Sequence, residues 1–413
     1  MKTTMRYLKI TAMLMCIACT ACTKNISPDP NLSADTNGKD NAAKNAGNGK
    51  EAGRVLTISK AENIAMPKTQ LAPDTVYTSY TLDEGLFRPL PDGYEDQIVS
   101  FRLPKGNMAV FAENSDGTGE SVCYVATDSA INANLPERLR NKISFIRYVA
   151  IGNTDKKGTA STSDQTVQTM GTVWFYGWSL NRSSFPGQQF VPMTWGKGAC
   201  TNDNVKYLVE RSDVDHLLSF NEPDNKSQSN IPNFDTAVAR YKIMQKTGMR
   251  LGAPVTTQDQ VTGDGRWFTK FMAKAVQEKI RIDYLPIHWY DWGNQTNNKA
   301  TDSLTAEGVF KRFVNYVEKI HGAYPGMPIW VTEYNANVNR TSELIHKYFM
   351  KLSTEWMNST PYIERYAYFF PKPVPEVNAD FSLTDVGAYW KSLPTTKSFS
   401  GNIVSDDTVL NHD

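Results

Sequence analysis

The chain has 413 residues, 40% hydrophobic and 21% charged, with 44 basic against 43 acidic side chains and a formal charge of +1. That composition excludes disorder as the dominant state, and the near-zero charge supplies none of the basic field that a nucleic-acid-binding protein needs. A neutral ligand fits better, and because all nine Trp fall between Trp174 and Trp390, the search for function starts in the C-terminal part.

Lys2, Arg6 and Lys9 precede an apolar stretch from Ile10 to Ala21, too short to span a bilayer as a stable helix but the right length for a signal h-region. Ile17-Ala18 precedes Cys19 and Thr20-Ala21 precedes Cys22, which resembles a bacterial lipoprotein signal. Residues 1–22 are therefore read as signal peptide and lipobox, with Cys22 favoured over Cys19 for lipidation and an ordinary secretory signal as the alternative. The expected location is the bacterial cell envelope, at the outer membrane or cell surface, held to the membrane through the lipid. With Cys22 lipidated, Cys123 and Cys200 remain in the mature chain. They form no disulfide framework or CxxC metal pattern and read as small buried hydrophobes.

Residues 23–53 are rich in Asn, Lys, Asp, Ala and Gly with almost no large apolar side chain, the composition of a disordered tether. Over 54–150 the pattern changes to short β-branched or alternating runs, Gln97 to Leu103, Met108 to Phe111, Ser121 to Ala126 and Ile143 to Val149, separated by turn clusters such as Asn114 to Gly119. This predicts a small all-β domain. The stretch Phe101 to Val149 resembles a βγ-crystallin Greek-key repeat. Asn141-Lys142-Ile143-Ser144-Phe145 lacks that family's calcium-binding features, so no calcium site is carried over. A spacer holding the catalytic unit off the membrane is the expected role.

Residues 151–395 alternate apolar runs with helical stretches. Strands are predicted at Gly158 to Ser161, Thr172 to Tyr176, Gln189 to Met193, Asp215 to Phe220, Arg250 to Val255, Ile282 to His288, Pro328 to Glu333 and Arg365 to Phe369. Helices are predicted at Ala237 to Thr247, Trp267 to Lys279, Glu307 to Ile320 and Ser342 to Met357. Repetition of strand then helix predicts an α/β fold with a parallel sheet, and eight units closing on themselves give a (β/α)8 TIM barrel. The first repeat is degenerate, since about ten residues between its strands leave little room for a helix. The tail, 396–413, fits no motif.

In such a barrel the C-terminal ends of different strands meet at one face. Leu217-Leu218-Ser219-Phe220 runs into Asn221-Glu222-Pro223-Asp224, and Ile329-Trp330-Val331 runs into Thr332-Glu333-Tyr334. Two glutamates from separate strands can flank one scissile bond. In a retaining glycosidase one carboxyl protonates the leaving oxygen and the other attacks the anomeric carbon, the two lying about 5–5.5 Å apart. The acid must then stay protonated near neutral pH, which burial and a neighbouring carboxylate both favour.

The run Phe190 to Gly196, then LLSFNEPD (Leu217 to Asp224), LGAP (Leu251 to Pro254), IHWY (Ile287 to Tyr290), PIWVTEY (Pro328 to Tyr334) and RYAYFF (Arg365 to Phe370) resemble the Asl1-like glycosyl hydrolase catalytic domain. That family corresponds to glycoside hydrolase family 128, retaining β-1,3-glucanases of clan A. The resemblance implies an acid/base at Glu222, a nucleophile at Glu333, a contact from Asn221 to the sugar 2-hydroxyl, donation from Tyr290 to Glu333, and His288 lining the same subsite. The family usually carries Trp in the eighth strand where this chain has Tyr368, so the floor beneath the sugar is expected to be smaller or differently placed, with Tyr368 as a substrate contact.

Trp178, Trp195, Trp289 and Trp292 lie at or just beyond strand ends and are expected to stack on pyranose rings, against the plainer reading of core packing. His216, His321 and His346 read as structural. No spacing suggests metal ligands and no Gly-rich loop follows a strand, so no metal or cofactor is expected. The expected partner is a polysaccharide or oligosaccharide substrate, and the expected state a monomer. The function read from the chain is hydrolysis of β-1,3-glucan by an endo-β-1,3-glucanase; the alternatives are a surface glycan-binding lipoprotein without turnover and a hydrolase of another β-linked polysaccharide.

Overall fold

Two kinds of sequence pattern become two kinds of sheet. The computed structural model describes residues 55–79, 87–292 and 301–406, all within one compact unit, Ala52–Asp413. The expected signal peptide with Cys22, the tether and residues 407–413 of the tail lie outside the described residues.

The first nine strands are short and carry the β-branched runs: β1 (Leu56–Ser59), β2 (Lys68–Leu71), β3 (Thr75–Thr78), β4 (Phe87–Arg88), β5 (Ser100–Leu103), β6 (Asn107–Ala112), β7 (Ser121–Ala126), β8 (Ile131–Asn134) and β9 (Phe145–Ala150). Next come β10 (Lys157–Ala160), α1 (Asp164–Met170), β11 (Trp174–Tyr176), β12 (Gln189–Phe190), α2 (Asn202–Val209), β13 (His216–Leu217), α3 (Phe234–Gln245), β14 (Arg250–Leu251), α4 (Trp267–Gln277), β15 (Leu285–Tyr290), α5 (Ser303–Ala323), β16 (Ile329–Asn335), α6 (Glu343–Ser359), β17 (Ile363–Tyr368), α7 (Asp385–Ser392) and β18 (Ile403–Asp406). Each of the predicted catalytic strands has a counterpart among β10 to β17. The degenerate first repeat keeps a seven-residue helix, α1, capped by Ser163 and stopped by Gly171 at φ 66°.

Strands β2-β1-β5-β8 form an antiparallel sheet, and β18-β7-β6-β9-β3-β4 form a second that is antiparallel except where β4 joins β3 in parallel. Side chains alternate across β6: Ala109 and Phe111 face a core with Leu56, Ile58, Phe101 and Tyr124, whereas Met108 and Val110 face the other way with Cys123, Val125, Ile151 and Phe399. Both faces of that strand are therefore buried, which is why five of its six residues are apolar.

The remaining strands are parallel. One sheet runs β12-β11-β10-β17-β16-β15, and β13 pairs with β14. Parallel bridges Met193 to Leu218 and Gly252 to Tyr284 link the pair to the strand segments on either side of it. The chain is thus a mixed α/β protein whose parallel strands are interleaved with helices, and its largest apolar cluster includes side chains of α1 to α7 packed on the outward side chains of these strands.

At the N-terminal ends of the parallel strands lies a buried ionic layer. Arg250 makes a two-pronged pair with Glu364 at 2.6 and 2.8 Å, Trp330 donates to the same carboxylate at 2.9 Å, Arg281 pairs with Asp283 at 2.9 Å, and His216 meets Asp215 at 2.6 Å. The sheet β18-β7-β6-β9-β3-β4 covers this layer. Arg281 donates to Ser121 at 3.2 Å, Arg147 to the Thr247 carbonyl at 2.9 Å, and Phe399 stacks on His216. The segment after Leu393 carries Phe399 there and then pairs as β18 with β7, a role that its sequence does not announce. No described helix is long and apolar enough to cross a membrane.

Candidate active site

Glu222 follows β13 in the left-handed backbone region, at φ 43°, a conformation that costs a non-glycine residue about 1–3 kcal/mol and clusters at functional sites. Its amide donates to the Val255 carbonyl at 2.7 Å, and its carbonyl accepts from the Asn225 amide at 3.0 Å. The turn aims the carboxylate at His288: Nδ1 of the imidazole lies 3.1 Å from Glu222 Oε1, and Asn225 Nδ2 donates to Oε2 at 3.1 Å.

Glu333 stands on β16, nearly buried. Trp178 Nε1 donates to its Oε1 at 2.8 Å, Tyr290 donates to its Oε2, and the Tyr176 hydroxyl lies 3.5 Å from Oε1 while donating to the Thr332 carbonyl at 3.0 Å. His288 Nε2 is 3.3 Å from Glu333 Oε1; this contact is electrostatic, since Nε2 lacks the alignment of a hydrogen bond. One imidazole ring therefore touches both carboxylates.

The charges follow from that geometry. Burial disfavours the His288 imidazolium, but the charge of Glu333 and the hydrogen bond and charge of Glu222 outweigh it, so the pKa is raised. Burial raises the Glu222 carboxyl pKa, yet donation and charge from His288 and donation from Asn225 bring it below the usual carboxylate value. The expectation that burial holds the pKa of this acid up is thereby corrected: the hydrogen bonds and the His288 charge outweigh burial, and the direction is downward. Asp224 differs, its pKa raised chiefly by burial despite hydrogen bonds from Thr257.

Asn221 is buried, its amide donating to the Trp195 carbonyl at 2.9 Å, and its side-chain oxygen has no hydrogen-bond partner. Trp195, 37% exposed, and Trp292, 53% exposed, stand open at strand ends. Trp178 is partly buried, its indole engaged by Glu333 and packed against Tyr176 and Phe369.

Two expected sugar contacts fall on the wrong face. Trp289 is buried against Phe313 of α5 and Phe349 of α6, because residues flanking His288 and Tyr290 on one strand must point the other way. Tyr368 likewise packs on Tyr334 and Trp390 and meets His346 Nδ1 at 2.5 Å. Its neighbour Phe369 takes the facing position, 5.4 Å from the Trp178 ring. Sequence reasoning also missed Tyr176, Asn225 and Phe369. The two-residue period from Trp174 to Tyr176, and from Ala367 to Phe369, was the available signal for two of them. Cys123 and Cys200 are free buried thiols, each pushed up to about 12 by burial.

Paired carboxylates at strand ends, wrapped in donors, define a glycoside hydrolase: residues 150–390 match the glycosyl hydrolase catalytic core family, and the chain belongs to it. Its catalytic domain is of the glycoside hydrolase family 128 kind. A family 128 (subgroup I) endo-β-1,3-glucanase variant from Amycolatopsis mediterranei, solved with laminaritriose and laminaribiose, is 27% identical with a TM-score of 0.50, over 59% of this chain and 100% of that one. A curdlan-specific exo-β-1,3-glucanase (subgroup III) from Blastomyces gilchristii, solved with glucose, is 27% identical with a TM-score of 0.46, over 58% and 98%. A subgroup II endo-β-1,3-glucanase from Sorangium cellulosum is 21% identical with a TM-score of 0.46, over 58% and 98%. No curated protein matches the chain significantly.

Proposed function

We propose that the protein is a retaining endo-β-1,3-glucanase built on a (β/α)8 barrel, with Glu333 as nucleophile and Glu222 as acid/base. The observation that carries this reading is the imidazole of His288 touching both carboxylates, at 3.1 and 3.3 Å, which suits a pair close enough for covalent catalysis. The barrel is supported by the two parallel bridges that join β13 and β14 to their neighbours. The glucan specificity draws support from the Amycolatopsis enzyme, solved with laminari-oligosaccharides.

In the first step Glu333 attacks the anomeric carbon, the bond to the leaving oxygen breaks, and Glu222 gives that oxygen a proton. The 3.1 Å contact between Glu222 Oε1 and His288 Nδ1 is a path along which the imidazole can resupply this proton. Trp178, Tyr176 and Tyr290 hold Glu333 on line. The unpartnered side-chain oxygen of Asn221 accepts from the sugar 2-hydroxyl, a bond that strengthens as the oxocarbenium ion develops. In the second step Glu222 takes a proton from water, which attacks the same carbon and frees Glu333.

The envelope anchor at Cys22, the all-β domain over 54–150 and the monomeric state belong to the same proposal, the anchor resting on the basic and apolar start of the chain. Laminarin hydrolysis followed by chromatography tests the function: the wild type should release mixed short oligosaccharides, and Glu222→Gln and Glu333→Gln should each lose at least about a thousandfold in kcat. Full turnover by Glu333→Gln would overturn the assignment.

A further inference from the structure

We infer that Asp291 is a positioning residue for the hydrolysis, holding Tyr290 against Glu333 through a buried three-way joint. The inference rests on the proposed function. Strand β15 ends at Tyr290, and its inward residues, His288 and Tyr290, carry contacts to both carboxylates. A strand end is the place where such contacts would otherwise fray.

Two independent devices prevent that. On one side the Tyr290 amide donates to Gln258 Oε1 at 2.9 Å, from the loop after β14. On the other, Asp291 is 1% exposed and its carboxylate receives charge-assisted bonds from two arginines. Arg312 of α5 supplies Nε and Nη2, each at 2.7 Å, and Arg340 from the loop before α6 supplies Nη2 at 3.0 Å. Arg340 is itself tied to α6, its carbonyl 2.9 Å from His346 Nε2. One carboxylate thus fastens α5 and the loop leading to α6 to the residue next to Tyr290.

A bidentate guanidinium pair fixes direction as well as distance. A Tyr hydroxyl serving a nucleophile must be held within a fraction of an ångström, so loosening the joint should reach Glu333 although Asp291 touches neither the substrate nor the reacting atoms. Burying a carboxylate among two arginines is costly unless the geometry is satisfied, and the contacts to both arginines are short.

The test compares Asp291→Asn, Arg340→Lys and wild type on laminarin, with thermal midpoints and the folded fraction measured alongside. Asp291→Asn should lower kcat per folded molecule by about tenfold to a hundredfold while KM stays within about twofold. Arg340→Lys, which keeps the charge but loses the planar fork, should show a smaller loss with the same split. Unchanged kcat in folded Asp291→Asn, or a loss that only tracks the unfolded fraction, overturns the inference. Should Asp291→Asn not fold, unchanged kcat in Arg340→Lys does so instead. An inactive wild type would sink the glucanase reading alone. The joint is then read directly by 13C-ζ-tyrosine NMR, assigned with Tyr290→Phe: a Tyr290 signal that moves in Arg340→Lys supports it, and one that stays fixed overturns it.

Discussion

Trp178 Nε1 and Glu333 Oε1 are joined by a 2.8 Å hydrogen bond between a residue at positive φ, 54°, and a carboxylate on β16. An indole expected to lie flat beneath a sugar is turned edge-on as a donor. Trp178→Phe leaves an aromatic ring beside Tyr176 and Phe369 but removes the N–H together with part of the indole. A hydrogen bond to a charged group contributes about 1.5–3 kcal/mol, so kcat on laminarin should fall roughly tenfold to a hundredfold. A variant as fast as the wild type would show that the indole N–H does not serve the nucleophile.

Glu222 and His288 give the site a pH signature in stability. The His288 pKa is raised above the usual 6.5, so its contribution is complete below that value and is lost as pH rises through the folded value. The Glu222 pKa is depressed below the usual 4.5, so its contribution is present above that value and is lost as pH falls through the folded one. The gap in melting temperature between wild type and His288→Gln should therefore be widest between 4.5 and 6.5 and narrow on both sides. A gap that widens steadily above neutrality would reverse the assigned charges.

Tyr368 and Phe369, adjacent on the chain, should respond in opposite ways. Tyr368→Phe removes a buried hydrogen bond to His346 and should cost about 1–3 kcal/mol of stability with kcat/KM of the folded enzyme unchanged. Phe369→Ala, which strips the ring packed on Trp178, should lower kcat/KM on laminari-oligosaccharides. Calorimetry and initial rates on the same preparations check both, and a catalytic defect in Tyr368→Phe would return that ring to the substrate side.

Arg250 and Glu364 are fully buried partners. Removing one member of such a pair leaves an uncompensated charge and typically costs about 3–5 kcal/mol. Glu364→Gln should lose stability of that order in urea unfolding, whereas the double replacement Arg250→Met with Glu364→Leu should recover much of it. Equal stability of Glu364→Gln and wild type would show that the layer contributes nothing net.

Much of this was legible in the chain. The eight predicted strands of the catalytic part exist because β-branched runs separated by amphipathic stretches leave few alternatives, although β13 and β14 shrink to two residues where the sequence suggests six. Glu222, Glu333, His288 and Tyr290 converge as their strand-end positions imply. Trp289 and Tyr368 were misread for want of the two-residue period: once His288 and Tyr290 face the site, Trp289 cannot. The direction of the Glu222 shift was hidden because it depends on a side chain 66 residues away. So was β18, whose four residues acquire a register only by pairing with β7.

The sheet that seals the ionic layer bears on how this enzyme can be cut and recombined. The matched core, residues 150–390, ends before Phe399 and β18 and begins after the strands that supply Ser121 and Arg147. A gene fragment bounded by that core would expose Arg281, Asp283 and their neighbours to solvent and leave an apolar sheet face bare. Domain shuffling must therefore carry the front strands and β18 together with the core they cover.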